Sequence, residues 1–189
     1  MTNNHFDVRK AKKFDNEERI RELRPGHLLM DIIGIKPGMV CIDIGSGTGT
    51  FSIPMSKLVG TRGIVYAVDD SQIMLGHMQK RNPPTNLKAI HTSAYNTGLS
   101  SNIADFCLLS FILHEVKEPD TLLKETFRLL KTGGGICIIE WKAKQTEHGP
   151  PQSIRITKER LETLFKQTGF SNFKYVDWTH SHYLAIGKK

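Results

Sequence analysis

The sequence has few cysteines and no long apolar run, and both absences restrict what the protein can be. Its 189 residues include only three cysteines, an odd number that excludes a framework of paired disulfides. Cys41, Cys107 and Cys137 each lie in an apolar, strand-like stretch, which is typical of reduced core thiols in a cytoplasmic protein. No run of about 18 apolar residues occurs, so we expect no membrane span. The first 22 residues lack the apolar stretch of a secretory signal.

Internal repeats and metal-ligand spacings are missing as well. His180 and His182 form a two-residue repeat on one predicted strand face, and no further ligands follow at metal-like spacing. The other histidines form no cluster. We therefore expect no metal site and a single domain of ordinary globular composition.

The net charge of +7 is unevenly distributed along the chain. Residues 1–24 hold seven Lys/Arg and five Asp/Glu, and residues 142–189 hold nine and four, whereas residues 25–141 hold ten of each. Basic flanks can attract phosphate groups or an acidic partner. The alternative is an ordinary solvated surface, and the sequence leaves both open.

The regular feature of the chain is an alternation of short apolar runs with helical patterns. Continuous apolar runs predict strands that are covered on both faces. They occupy residues 40–44, 64–68, 87–91, 106–110 and 136–139. Two further strands are predicted at 173–178 and 183–186, as an antiparallel hairpin at the sheet edge. This order predicts a doubly wound α/β fold, a three-layer αβα sandwich with a mostly parallel sheet of seven strands.

Helical patterns fill the gaps between the predicted strands. They cover residues 51–59, 73–78, 121–131 and 158–168, and the last three follow the candidate N-caps Ser71, Asp120 and Thr157. Near the amino terminus, Phe6, Phe14, Ile20 and Leu23 interrupt a charged stretch. Residues 17–23 can form a short amphipathic helix there.

A glycine-rich loop follows the first predicted strand, in the sequence Asp43-Ile44-Gly45-Ser46-Gly47-Thr48-Gly49. Glycine lets a backbone turn tightly and approach a ligand closely, and the carboxyl ends of strands form the ligand crevice of open α/β sheets. A simple strand-to-helix turn is the alternative. Thr50 stands where a dinucleotide loop needs its third small residue, so the spacing argues against a nicotinamide cofactor.

Asp69 ends the second predicted strand, 20 residues after Gly49. A carboxylate at this position can accept both hydroxyls of a ribose. A helix cap just before Ser71 is the alternative, and the glycine loop favours ribose binding.

Together these residues resemble class I S-adenosylmethionine (SAM)-dependent methyltransferases. VCIDIGSGTG and VYAVDDSQIML are similar to the first two motifs of that family, FCLLSFILHEV to its fourth-strand motif and RLLKTGGGICIIEW to the approach to its fifth strand. The nearest likeness is to the ubiquinone/menaquinone-biosynthesis group. The resemblance implies the Rossmann-like form of the predicted fold, with an antiparallel C-terminal strand, and a methyltransferase domain over residues 25–189.

The resemblance also implies which residues bind SAM and its product S-adenosylhomocysteine (SAH). The methionine portion would be lined by the glycine loop, with Asp43 nearby: Gly45, Ser46, Gly47, Thr48 and Gly49. Asp69 would hold the ribose, with Asp70 beside it. Ser93 and Ala94 would hold the adenine, and Ser110 and Phe111 would face the sulfonium end. Ser93 departs from the family pattern, in which an acidic residue commonly receives the adenine amino group.

SAM carries an already activated methyl group, so a base is needed only for an acceptor that is protonated at the working pH. His114, at the exit of the fourth predicted strand, is the candidate base, and Glu115 beside it could orient the imidazole. The alternative for both is a simple connecting segment. Glu140 and Trp141, at the exit of the fifth predicted strand, could form an aromatic wall, and a structural rim is the alternative. The resemblance further implies that residues 1–24 form a helical lid.

The leading prediction is transfer of a methyl group from SAM to a small-molecule acceptor by in-line displacement. An RNA or protein methyltransferase that uses the basic termini is one alternative, and a SAM-binding module without turnover is another. Cys107 and Cys137 lie inside strands, which argues against a cysteine nucleophile. The acceptor and the oligomeric state do not follow from the sequence.

Overall fold

The structure is a computed structural model that describes residues 16–189. Seven strands form one sheet in the order β3-β2-β1-β4-β5-β7-β6. They are β1 (Val40–Ile44), β2 (Ile64–Asp69), β3 (Leu87–His91), β4 (Ala104–Ser110), β5 (Leu130–Trp141), β6 (Ser171–Asp177) and β7 (His182–Lys188). Strands β1 to β5 pair in parallel, and β7 lies antiparallel between β5 and β6. The predicted fold and its antiparallel closing hairpin are confirmed.

Helices cover both faces of the sheet. They are α1 (Glu17–Leu23), α2 (Pro25–His27), which continues into a π-helical turn (Leu28–Ile33), α3 (Ser52–Val59), α4 (Gln72–Gln79), α5 (Pro119–Leu129) and α6 (Lys158–Thr168). A 3-10 turn occupies Gln152–Ile154. None of the helices in residues 16–189 is long and apolar enough to cross a membrane.

The sheet separates two hydrophobic clusters, because successive side chains of a strand point to opposite faces. Cys41 and Cys137 pack on one face against the N-terminal helices, α3 and α4. Cys107 packs on the other face against α5 and α6. All three cysteines are free and buried, and burial raises the pKa of the Cys41 thiol to about 12. They are core residues, as the sequence indicates.

Two of the three predicted helix caps are confirmed. The Ser71 side chain accepts the Met74 N–H, and the Thr157 side chain accepts the Arg160 N–H. The third cap, Asp120, is wrong: α5 begins at Pro119 with Glu118 in the N-cap position. Proline favours the first helical position because its missing N–H has no helical partner there. The same helix ends at Leu129, since Leu130 already pairs with Ala104 at the start of β5.

The predicted amphipathic helix at residues 17–23 is present as α1, with Leu23 buried and the Asn16 side chain capping its amino end. It packs on the turn of the β6–β7 hairpin, where Trp178 Nε1 donates to the Leu23 carbonyl at 3.3 Å. The predictions about Phe6 and Phe14 fall outside the described residues. A lid over residues 1–24 therefore stays a prediction.

Candidate functional site

A cavity of about 330 Å³ lies at the carboxyl ends of β1, β2 and β4. At β1 the strand order reverses, and in an open α/β sheet this switch point is where ligands bind. Ten of the predicted cofactor residues line the cavity: Gly45, Ser46, Gly47, Thr48, Asp69, Asp70, Ser93, Ala94, Ser110 and Phe111. Three predicted site residues, Asp43, Gly49 and His114, are not part of the lining.

The glycine loop forms the floor of the cavity. Gly45 has a φ of +76°, and a Cβ added there would lie 2.7 Å from Ile112 Cδ1. The Gly45 and Ser46 N–H groups donate to the Val68 carbonyl of β2 at 2.8 and 3.0 Å. A side chain at position 45 would therefore collide with the loop after β4 as well as strain the backbone.

Gly49 lies at the far end of the loop and turns the chain into α3. Its carbonyl accepts the Ile53 N–H at 3.1 Å, and a Cβ there would lie 2.7 Å from Met78 Cγ. This glycine shapes the loop from behind rather than lining the cavity.

Asp69 fixes the loop to the start of α4. Its Oδ2 accepts the Gly47 N–H at 2.7 Å, and its Oδ1 accepts the Ser71 N–H at 2.9 Å. Burial raises its pKa. A carboxylate has about four lone-pair positions, so two remain for a ligand in the cavity. The two interpretations of Asp69 are compatible, since one carboxylate can hold the helix start and face the cavity.

Asp43 lies directly behind the glycine loop and is completely buried. Its Oδ2 accepts a short hydrogen bond from the Ser52 hydroxyl, whereas Oδ1 has no hydrogen-bond partner among residues 16–189. Burial raises the Asp43 pKa to about 7. A buried acceptor atom without a partner is costly, so this oxygen fits a donor that a ligand supplies.

Tyr95 joins the loop after β3 to the loop after β4, on the side of the cavity opposite the glycine loop. Its hydroxyl accepts the Lys117 and Glu118 N–H groups at 3.1 and 3.2 Å, and its own N–H donates to Ser93 Oγ at 3.2 Å. The Ser93 hydroxyl keeps acceptor capacity for an adenine amino group. Sequence reasoning missed Tyr95, although an aromatic residue two positions after Ser93 was a usable signal.

Phe111 closes the cavity at the end of β4. Its φ is +58°, a conformation that is uncommon for a non-glycine residue. Its N–H donates to the Ile139 carbonyl of β5 at 2.9 Å. The Arg19 guanidinium carbon of α1 lies 4.7 Å from its ring centroid, and Arg19 also lines the cavity. Sequence reasoning missed Arg19, because nothing local connects α1 to β4.

His114 lies beside the cavity, with a side chain that is 5% exposed. Its Nδ1 is 2.8 Å from Glu140 Oε2, and its Nε2 is 3.8 Å from Glu115 Oε1. Glu140 and not Glu115 therefore orients the imidazole. Burial acts to lower the His114 pKa, but the hydrogen bond and charge of Glu140 outweigh it, so the pKa is raised.

Trp141 and His182 pack around Phe111 without lining the cavity themselves. Their ring centroids are 4.2 Å apart, and the His182 ring lies 5.1 Å from that of Phe111. The Arg155 guanidinium carbon lies 5.4 Å from the Trp141 ring centroid, and its N–H groups donate to the Lys142, Lys144 and Pro150 carbonyls. Arg155 thus holds the loop after β5 over this aromatic group.

No set of side chains in residues 16–189 is suited to bind a metal ion. Across the described residues 16–189, no three His, Cys, Asp or Glu side chains gather in a group that could hold a metal ion.

Comparison with known proteins adds a family to this geometry. The model of the family described as "Methyltransferase domain" matches residues 42–138, about half of the chain. A demethylmenaquinone methyltransferase of Staphylococcus aureus is 34% identical over 135 residues, which cover 69% of this chain and 56% of that protein. The ubiquinone/menaquinone biosynthesis C-methyltransferase UbiE of Haemophilus ducreyi is 32% identical over 116 residues, which cover 59% and 45%. The chain thus spans about half the length of these curated relatives.

A crystal structure of a SAM-dependent methyltransferase from Aquifex aeolicus superimposes with a TM-score of 0.89 at 27% sequence identity. The match covers 96% of this chain and 98% of that one.

Proposed function

Because the chain belongs to the class I SAM-dependent methyltransferases, with SAM as the cofactor, we propose that it transfers a methyl group to a small-molecule acceptor. The observation that carries the proposal is the cavity at the switch point of the sheet, between the glycine loop and the loop after β4. Its volume suits the cofactor, and the ring cluster of Phe111, Trp141 and His182 beside it suits a compact acceptor.

The residues of the cavity fit SAM. Gly45 and Gly47 would hold its methionine portion, with Asp43 and its partnerless Oδ1 directly behind them. Asp69 would hold the ribose, and the loop that contains Ser93 would hold the adenine. When bound, SAM supplies a methyl group on a sulfonium, so the reactivity belongs to the cofactor. The protein has to position the acceptor and exclude water.

The acceptor side lies between Phe111, Trp141 and the loop that Arg155 holds. Two relatives of the chain are named as a demethylmenaquinone methyltransferase and a ubiquinone/menaquinone biosynthesis C-methyltransferase, and a small aromatic acceptor is consistent with the ring cluster there.

The alternative of an RNA or protein acceptor gains little from the charges. Many C-terminal basic side chains have partners within the fold: Lys142 pairs with Asp177 at 2.8 Å and Arg160 with Asp120 at 3.3 Å. Arg155 is buried. Part of the basic excess is therefore used in contacts within the fold, which favours a small-molecule acceptor over an RNA or protein acceptor. The free and buried cysteines support a cytoplasmic location, which also belongs to this proposal.

Calorimetric titration with SAM, SAH and NADH tests the cofactor site. We expect both adenosyl ligands to bind and NADH not to bind. Asp69→Ala should weaken SAM about 10- to 100-fold, since hydrogen bonds to charged groups contribute roughly 1.5–3 kcal/mol each. Glu162→Ala, which removes an exposed carboxylate on α6, is the matched control and should leave the affinity unchanged.

A screen of small molecules with methyl-labelled SAM then tests the transfer. Labelled small-molecule product supports the proposal. Tight SAM binding with label only in added RNA or protein would contradict the acceptor class. Absence of adenosyl binding would contradict the cofactor site.

A further inference from the structure

A buried histidine–glutamate pair lies at the adjacent carboxyl ends of β4 and β5. The Glu140 side chain is completely buried, and that of His114 is 5% exposed. Glu140 Oε1 and Oε2 lie 3.0 and 2.8 Å from His114 Nδ1. The His114 and Trp141 backbone N–H groups also donate to this carboxylate, both at 3.2 Å. The two backbone partners of the Glu140 carboxylate are thus N–H donors, and its third partner is the imidazole nitrogen Nδ1.

These contacts decide which imidazole nitrogen carries the proton. An ionised carboxylate can only accept hydrogen bonds, so Nδ1 of His114 must be the donor. In the neutral imidazole Nε2 then carries a free lone pair. No residue in the described part of the chain forms a hydrogen bond with Nε2, whose nearest charged neighbour is Glu115 Oε1 at 3.8 Å.

The pair lies next to the cavity wall. Ile112 and Glu115, on either side of His114 in the sequence, both line the cavity, and Glu115 is 48% exposed. The charged groups that act on His114 are Glu140 of β5, Glu115 of its own loop and Arg155 of the loop after β5. Tyr183 of β7 also lies near Glu140, and its hydroxyl donates to the Ile156 carbonyl.

We infer that His114 and Glu140 form a proton-accepting dyad for an acceptor hydroxyl group, with Glu140 as the positioning residue. The inference rests on the proposed function. The acceptor O–H bond breaks, the proton bonds to Nε2 of His114, and the electron pair stays on the oxygen. The oxygen–methyl bond would form as the sulfur–methyl bond of the cofactor breaks, and that electron pair would leave on the sulfur of SAH. The imidazolium that forms keeps its Nδ1–H bond to Glu140, so the new charge is paired where it arises.

The burial of the pair favours this role over a purely structural one. Two apolar side chains of similar volume would fill the same space without the cost of desolvating a carboxylate. A base held by a third group and next to a ligand cavity is the arrangement expected of proton transfer. Glu115, the charged group nearest to Nε2, lies at the cavity wall and is 48% exposed, so the Nε2 side of the imidazole is directed towards the cavity.

Nitrogen-15 NMR of histidine-labelled protein tests the dyad without any acceptor. We expect the Nδ1-protonated tautomer for neutral His114, and we expect its pKa to lie above that of an exposed histidine. In Glu140→Gln the His114 pKa should fall, because the neutral amide no longer stabilises the imidazolium. A proton on Nε2, or an unchanged pKa in Glu140→Gln, would overturn the inference.

Kinetics provide the second test, with the acceptor found in the screen. His114→Gln should lower kcat about 100-fold or more, in the range of general-base contributions, and leave the SAH affinity within about twofold. Glu140→Gln should move the pH profile of kcat to lower pH, and Glu140→Asp should restore part of the rate. His180→Gln removes an exposed histidine of the hairpin and is the matched control.

The two tests separate failure of the dyad from failure of the proposed function. An acceptor methylated at full rate by His114→Gln would overturn the dyad and leave the methyltransferase intact. If the screen yields no product, the proposed function fails, while the NMR measurement on the wild-type protein still decides the tautomer. Retained SAH binding shows that each variant is folded.

Discussion

Two completely buried carboxylates at the ends of central strands differ in how their oxygens are satisfied. Both Glu140 oxygens have N–H partners from His114 or Trp141. Asp43 has one donor, Ser52, and its other oxygen has no partner in the described part of the chain. A satisfied buried carboxylate positions a neighbour, whereas an unsatisfied one fits a ligand that completes its hydrogen bonds. The sequence indicates both positions but cannot distinguish them, because the partners depend on tertiary contacts.

Asp43→Asn tests the cost of the unsatisfied carboxylate. Since burial raises the Asp43 pKa from 3.8 to about 7, its contribution to stability is fully present below pH 3.8 and is lost as the pH rises towards 7. The amide of the Asp43→Asn variant does not titrate, so its contribution to stability does not change with pH. The stability of Asp43→Asn relative to wild type should therefore rise between pH 4 and pH 8, by on the order of 4 kcal/mol at about 1.36 kcal/mol per pKa unit.

Urea unfolding of both proteins without ligand, at several pH values, measures this difference. Other titrating groups are common to both proteins and cancel in the comparison. A difference in unfolding free energy that stays constant over this pH range would contradict the raised pKa of Asp43. SAM binding by Asp43→Asn should be weaker at the same time, so the change would stabilise the fold and impair the site.

At the scale of elements, local signals predict what local contacts determine. The continuous apolar runs predict strands β1 to β5, and Ser71 and Thr157 cap their helices as expected. The predicted boundary between α5 and β5 is wrong, because Leu130 already pairs with Ala104 of β4. This contact joins residues that are distant in the sequence. Ten of the residues that the family resemblance assigns to SAM line the cavity, because they lie at or just after strand ends. Arg19 could not be predicted, since its place depends on how α1 packs.

Tyr95 is an example of a contact between elements that the sequence conceals. Its hydroxyl holds the loop after β3 against the loop after β4, through the Lys117 and Glu118 N–H groups. Tyr95→Phe removes this acceptor and leaves the ring in place. We expect a loss of about 1 kcal/mol in the free energy of unfolding and a several-fold weaker SAM affinity, since both loops line the cavity.

Thermal unfolding and calorimetric titration measure the two effects of Tyr95→Phe. Tyr66→Phe is the matched control, because the Tyr66 hydroxyl of β2 has no hydrogen-bond partner within residues 16–189 and Tyr66 does not line the cavity. Equal SAM affinities for the wild type and Tyr95→Phe would show that the bridge between the loops contributes nothing to the site.

At the scale of the whole molecule, the N-terminal segment (residues 16–33) packs on the hairpin of β6 and β7, and both reach the site. Trp178 contacts three residues of the segment: it donates to the Leu23 carbonyl, its ring stacks on His27 at 5.6 Å, and the Arg24 guanidinium carbon lies 4.9 Å from it. Glu22 adds contacts to Thr179 and His182. The same helix carries Arg19 to the cavity, so the hairpin determines a side of the site that no local sequence pattern predicts.

Trp178→Leu should therefore loosen residues 17–29 and the turn of the β6–β7 hairpin together. Loss of the hydrogen bond, the ring stacking and the cation–π contact should lower the free energy of unfolding by about 2–3 kcal/mol. Hydrogen exchange should accelerate both in residues 17–29 and in the hairpin turn, whereas β1 and β4 keep their protection. Phe173→Leu alters the same hairpin where it packs on Phe165 and is the control. If Phe173→Leu accelerates exchange in residues 17–29 as much as Trp178→Leu does, the docking does not depend on Trp178. If neither does, the N-terminal segment holds its position through Leu23, Leu28 and Leu29, the residues it buries in the core.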